Sequence, residues 1–118
     1  MTICVIGGYP KGYDEPFHKK TTSGRRLRKI ADRNNLDLEY YDLWETEEQE
    51  NRGKVQEEKI EKLRRNTKGK PTVALGKYVY KRIKKHLDVT YLPHPAARQK
   101  KHREKLEIGL IKISEANS

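Results

Sequence analysis

Only one cysteine, Cys4, occurs in the 118 residues of this chain. A disulfide framework within the chain is therefore excluded, and so is any four-cysteine zinc or iron–sulfur site. Cys4 sits in an apolar run and reads as a small core residue. Long hydrophobic runs are missing too. No stretch approaches the ~20 apolar residues of a membrane span. The opening "MTICVIGG" has no basic region ahead of its apolar segment, as a secretory signal would need. The expectation is an intracellular, reducing location, cytoplasmic or nucleoid-associated, with no membrane partner.

Apolar material is scarce throughout. Hydrophobic residues make up 33% and charged residues 37%, with one Phe, one Trp and one Met. At this length the chain forms one domain, residues 1–118, with a single modest core built from short strands and one-sided helices. What is abundant is positive charge. Lysine and arginine number 27 against 17 acids, a formal net charge of +10. Such an excess favours a polyanionic partner, and DNA, duplex or single-stranded, leads the possibilities.

Strand and helix signals alternate along the chain. "TICVIG" (2–7) is continuously apolar and β-branched, as a central strand covered on both faces should be. "TTSGRRLRKIADRN" offers Thr22 or Ser23 as an N-cap and a stripe of Leu27, Ile30 and Ala31. "NNLDLEYYDLW" alternates through Leu36, Leu38 and Tyr40. "GKVQEEKIEKLRRNTKGK" predicts a charged helix with Val55, Ile60 and Leu63 inward, stopped by Asn66 to Gly69. "PTVALG" predicts a second buried strand, "KYVYKRIKKHL" a helix, and "DVTYL" a fourth strand. "PHPAARQKKH" is a loop or helix start. The closing helix "REKLEIGLIKISEA" carries Leu106, Leu110 and Ile113 inward, has a weak point at Gly109, and frays from Ser114.

This β-α-β-α-β-α-β-α pattern predicts a three-layer α/β/α sandwich around a four-stranded, mostly parallel sheet. The order 2-1-3-4 places the two most apolar strands at its centre. Ligands of such sheets bind at the carboxyl ends of the strands, where strand order reverses. Four loops lie there: 7–17, 42–46, 76–77 and 93–98. They hold Gly7, Gly8, Pro10 and Gly12, the unique Phe17 and Trp44, and His94 between two prolines. "GGYPKG" has the wrong spacing for a dinucleotide fingerprint, and the Gly76-Lys77 pair lacks the upstream glycine of a P-loop. No metal-binding spacing links His18, His86 and His102, and no metal or cofactor is expected. Phe17, outside any periodic pattern, suits a stacking platform.

Three stretches in order resemble the uracil-DNA glycosylase superfamily. "IGGYPKGYDEPF" followed by "TTSGRRLRKIA" is similar to its first motif, in which a strand ends in G-E-x-P-G before acids, P-F and a Leu-bearing helix. "TVALGKYVYKRI" is similar to its third strand and L-G-K turn. "YLPHPAAR" is similar to its second motif, H-P-[SA]-x. The resemblance implies an enzyme, acting as a monomer, that flips uracil or a related modified pyrimidine out of DNA and hydrolyses its glycosidic bond. Phe17 would stack on the base, against a pocket of Gly7, Gly8, Tyr9 and Pro10. His94 would stabilise the departing anion. Lys11, Lys77, Arg98, Gln99, Lys100 and Lys101 would follow the DNA backbone, with the acidic stretch 45–50 off the binding face or at its rim.

The chain also departs from the family pattern. Tyr9 stands where other branches place Asp, Asn or Ala, and a phenol is a poor general base at neutral pH. Asp42 stands near the usual base-reading Asn. It can accept from the pyrimidine N3–H but, ionised, cannot donate to O4. Water activation would then fall to Asp14, Glu15 or Asp42, or to the substrate. The alternative is a catalytically inactive relative that binds DNA or a DNA-repair partner through the same basic face.

Overall fold

The computed structural model describes residues 1–117. Its elements are β1 (Thr2–Gly7), α1 (Thr22–Asn34), β2 (Asp37–Asp42), α2 (Glu47–Arg52), α3 (Glu57–Thr67), β3 (Thr72–Leu75), α4 (Lys77–Ile83), β4 (Thr90–Leu92) and α5 (Lys100–Ala116). The four strands form one sheet in the order β2-β1-β3-β4. Every pairing is parallel, with Val5 opposite both Tyr40 and Val73, and Val73 opposite Thr90. The expected α/β sandwich and its strand order are therefore present. Among the described residues no helix is long and apolar enough to cross a membrane.

Alternation along the central strands divides the core in two. Ile3, Val5, Val73 and Leu75 meet Leu27 and Ile30 of α1 and Leu106 and Leu110 of α5 on one face. Ile6 and Ala74 meet Ile60 and Leu63 of α3 and Val79 and Ile83 of α4 on the other. Successive strand residues point to opposite faces, so an apolar run can feed both helix layers at once. That is how so small an apolar fraction suffices. Cys4 lies wholly buried in this run. Burial first, and then the charge of Glu39, push its thiol up to about 11, so it stays protonated as an inert core group.

Several boundaries differ from the sequence reading, each for a local reason. Helix α1 is capped by Thr21, not Thr22 or Ser23: the Thr21 hydroxyl accepts the Gly24 N–H at 2.9 Å. Of the two readings of "PHPAARQKKH", loop or helix start, the helix start holds from Lys100, where the Gln99 carbonyl already accepts from His102 and Arg103. Helix α5 also runs on through Ser114 to Ala116, where fraying was expected; Ser118 lies outside the described residues. Gly109 does not interrupt it. Burying Leu106 and Leu110 is worth roughly 1.5–3 kcal/mol each, against a glycine penalty of about 1 kcal/mol. Glu107 clamps α5 to α1, accepting from Arg33 at 2.7 and 2.6 Å, and that pairing with Asn34 beside it holds its carboxyl at about 2.

The largest omission of the sequence reading is α2. It has no buried residue and hence no hydrophobic periodicity to betray it. Its signals are at its ends. The Thr46 hydroxyl accepts the Gln49 N–H at 3.2 Å, Glu47, Glu48 and Glu50 fill the first turn, and Gly53 closes it in the left-handed region. Trp44, placed by sequence in a ligand-end loop, is instead a core residue 3% exposed, its indole N–H donating to the Lys54 carbonyl at 3.0 Å.

Helix α1 packs tightly under the loop that precedes it. A Cβ on Gly24 would stand 2.1 Å from the His18 carbonyl oxygen and 2.3 Å from that of Phe17. Alanine ordinarily stabilises a helix by about 1 kcal/mol over glycine, yet here it meets backbone that cannot rotate away. Gly24→Ala should therefore lower the melting temperature followed by far-UV circular dichroism. A melting temperature equal to or above the parent's would show that the 15–21 loop yields.

Candidate functional site

At the carboxyl ends of the strands lies a cavity of about 400 Å³. This is within the size range of small-molecule sites. Its floor is the end of β1, Gly7 and Gly8, continuing into Tyr9, Pro10 and Lys11. Phe17 and the Thr21–Ser23 start of α1 form one wall; Tyr41, Asp42 and Glu50 form the opposite one, with His94 and Ala96 closing the space. Phe17 and His94 thus meet in one cavity, although β2, β3, β4 and four helices intervene in the sequence.

Phe17 is held from several sides. Its backbone has a positive φ of 52°, rare for a bulky residue. Its carbonyl accepts from Arg28 at 3.1 Å, and its ring lies 6.0 Å from that of Tyr40. The ring tip occupies the space above Gly7, where a Cβ would come within 2.3 Å of it. Gly8 has a different guest: its Cβ would stand 2.0 Å from Oε2 of Glu50. That oxygen accepts the Tyr9 N–H at 3.0 Å. The two missing side chains make room for a ring and a carboxylate of the protein itself, not for bare backbone under a ligand.

His94 follows β4 between Pro93 and Pro95, both buried. Gly76, at φ 91°, donates its N–H to the Leu92 carbonyl and lets the imidazole pass at 3.4 Å from where its Cβ would lie. Arg26 donates to the Pro95 and Ala97 carbonyls at 2.9 and 3.2 Å, tying this loop to α1. The Ala96 N–H donates to Nδ1 of His94 at 3.0 Å. A ring that accepts at Nδ1 carries its proton on Nε2. Burial, and after it the charge of Lys11, hold the imidazole below its ordinary value of 6.5. At neutral pH it is a neutral Nε2–H donor.

The acidic candidates separate. Asp14 is exposed and faces a neighbouring depression with Tyr13, Lys59 and Lys62. Glu15 is exposed and lies 3.7 Å from Arg28. Neither lines the cavity. Asp42 does, but its carboxylate is paired with Lys59 at 2.8 Å. Glu50, which the sequence reading left with the rest of 45–50 off the binding face or at its rim, lines the cavity. Thr21, Thr22, Ser23 and Tyr41 were also missed, because nothing in the sequence shows which helix start or strand end faces the gap.

Of the basic candidates, Lys11 lines the cavity with its ammonium 4.7 Å from the Tyr9 ring centre. Lys77, Arg98, Gln99, Lys100 and Lys101 are exposed at the starts of α4 and α5, outside the cavity. Lys100 approaches Glu104 at 3.8 Å. Two further basic grooves escaped the sequence reading. One runs between α1 and α5 past Arg26, Lys29, Arg33 and Arg103; the other joins Arg52 and Lys54 to Lys81, Arg82 and Lys85. Among the described residues, no cluster of His, Cys, Asp and Glu could hold a metal ion.

No protein-family model matches the chain, and no curated protein matches it significantly.

The imidazole assignment has a direct check. A pH titration of the His94 ring by NMR should give a midpoint below 6.5, with Nε2 protonated above it. Lys11→Met should raise that midpoint by removing a like charge. The folded protein binds this proton more weakly than the unfolded chain. Its contribution to stability is therefore complete above 6.5 and lost as pH falls through the lower folded value. A midpoint at or above 6.5 would contradict a half-buried neutral ring.

Proposed function

We propose that this chain is a DNA glycosylase of the uracil-DNA glycosylase type, which flips uracil or a related modified pyrimidine out of DNA and hydrolyses its N-glycosidic bond. The observation that carries the reading is the meeting of Phe17 and His94, whose Nδ1 accepts the Ala96 N–H and so leaves Nε2 to donate, in one cavity of about 400 Å³. In the reaction the N1–C1′ bond breaks and its electron pair leaves with the base. Water supplies the hydroxyl that C1′ gains. Negative charge grows on the pyrimidine O2 as the bond stretches, and a preorganised Nε2–H donor stabilises it more than it stabilises the ground state. A neutral donor suits this task, because it need not give up its proton to be useful.

Phe17 would present a π-face to the extruded base and recover part of the cost of unstacking it. Arg28, Gly7 and Gly24 fix the ring's place. The exposed Lys77, Arg98, Lys100 and Lys101, with Lys11 at the cavity mouth, would contact phosphates around the flipped nucleotide. The inactive, DNA-binding alternative draws support from Tyr9 and from the absence of Asp14 and Glu15 from the cavity.

Incubation with a uracil-containing oligonucleotide, followed by alkaline cleavage at abasic sites, separates the two. Strand cleavage is expected with the wild type. His94→Ala should slow single-turnover base release by about 10²–10³-fold, the usual cost of losing one such donor, with DNA affinity little changed. Phe17→Ala should weaken binding as well, since stacking is worth roughly 1–3 kcal/mol per base. Affinity should fall steeply as salt rises. Intact uracil and modified-pyrimidine DNA after incubation across pH and salt would sink the enzyme reading.

A further inference from the structure

We propose that Glu50 is the carboxylate that orients and deprotonates the attacking water, reaching from α2 into the place that Gly8 leaves empty. This rests on the glycosylase reading and adds a residue to it. Two observations converge on Glu50. Its Oε2 lies 2.0 Å from where a Gly8 Cβ would stand, so the carboxylate occupies the room of a residue-8 side chain. Of the carboxylates that line the cavity among the described residues, Asp42 is neutralised by Lys59, whereas no cation pairs with Glu50.

Glu50 is also held both by its side chain and by its main chain. Oε2 accepts the Tyr9 N–H, which leaves Oε1 without a hydrogen-bond partner among the described residues. The Glu50 carbonyl accepts the Tyr78 hydroxyl at 2.5 Å, so α4 braces the one turn that carries the acid. Capping by Thr46 and the left-handed Gly53 hold α2 in register although it buries nothing. A group prepositioned in this way loses little freedom when it takes up a reactive partner. Gly8 permits the arrangement, and its sequence neighbour Tyr9 completes it with a main-chain donor instead of a side-chain base.

The chemistry places the two polar groups on opposite flanks. Glu50 follows β2, and His94 follows β4, on either side of the central pair β1 and β3. A water bound to Oε1 gives its proton to the carboxylate as its oxygen bonds to C1′. The N1–C1′ electron pair goes to the base, whose anion is met by the His94 Nε2–H. The proton on Glu50 then leaves to solvent, and the base takes one up. One water is consumed, and nothing is oxidised or reduced.

The test uses the full chain and single-turnover release of uracil from an oligonucleotide. Glu50→Gln keeps an oxygen for the Tyr9 N–H and removes the base. It should slow release by about 10²–10³-fold, within the range of general-base contributions, without changing DNA affinity measured by fluorescence anisotropy. The wild-type rate should fall on the acid side as a carboxylate protonates, and this limb should vanish in Glu50→Gln. A merely structural role would not remove it. Gly8→Glu added to Glu50→Ala should restore part of the rate lost in Glu50→Ala alone, because the acid is then carried by residue 8 itself. A wild type that releases base at the same rate and with the same pH profile as Glu50→Gln overturns this proposal alone. A wild type that releases no pyrimidine overturns the glycosylase reading and this proposal with it.

Discussion

At the carboxyl end of β1 the chain lacks two consecutive Cβ atoms, and the geometry of the whole cavity depends on what uses that room. The ring of Phe17 fills one gap, the carboxylate of Glu50 the other. With any larger residue at position 7, Phe17 could not lie over the strand end, and its loop would lose its seat against α1. With any larger residue at position 8, Glu50 would be displaced from the Tyr9 N–H and α2 from its place. The Gly7 and Gly8 carbonyls are engaged as well, accepting from Leu43 and Trp44, which sets the chain direction leaving β2. One dipeptide therefore fixes the walls on both sides of the cavity. Glycine here is not a source of flexibility but a site of close packing.

The charge distribution follows the same division. The protein is strongly basic, yet the cavity holds the neutral His94, the paired Asp42 and the unpaired Glu50, with Lys11 at its edge. Net positive charge is spread over the surface, where counterions and phosphates can reach it, while the interior of the cavity is close to neutral or slightly acidic. Such a pattern draws polyanions to the surface rather than into the cavity. Lys11 links the two regions. Its charge helps keep the His94 proton affinity low, so an exposed residue tunes a half-buried imidazole.

What the sequence revealed, and what it hid, can be traced to the range of each interaction. The parallel sheet was legible because runs such as Thr2–Gly7 and Thr72–Leu75 announce strands buried on both faces, and the α/β alternation leaves few topologies. Phe17 and His94 were legible as exceptions: a lone aromatic outside any stripe, and a histidine between prolines at the end of a strand. Helix α2 and Glu50 were not, although Thr46, Gln49 and Gly53 mark the helix ends. A run of acids, Glu45 to Glu50 broken only by Thr46 and Gln49, gives no hint that one member turns inward while its neighbours stay in water. That choice is made by Gly8, which is 42 positions upstream, and by the Tyr78 hydroxyl. Trp44 failed in the opposite sense: its burial depends on a carbonyl ten residues on, at Lys54.

With only 33% of its residues hydrophobic, the chain has no separate material for core and cavity. Phe17 packs against the cluster under α1 and α5 while it faces the cavity, and Tyr9 and Tyr41 do the same against the cluster under α3 and α4. The cavity wall is the outer layer of both cores. Larger domains can mount a site on loops that move independently of their packing, but here a shift in the site must be felt in the sheet. The same sharing makes the site rigid at little cost. Phe17, Tyr9 and Tyr41 are ordered by the same contacts that build the two cores, so their ordering belongs to folding.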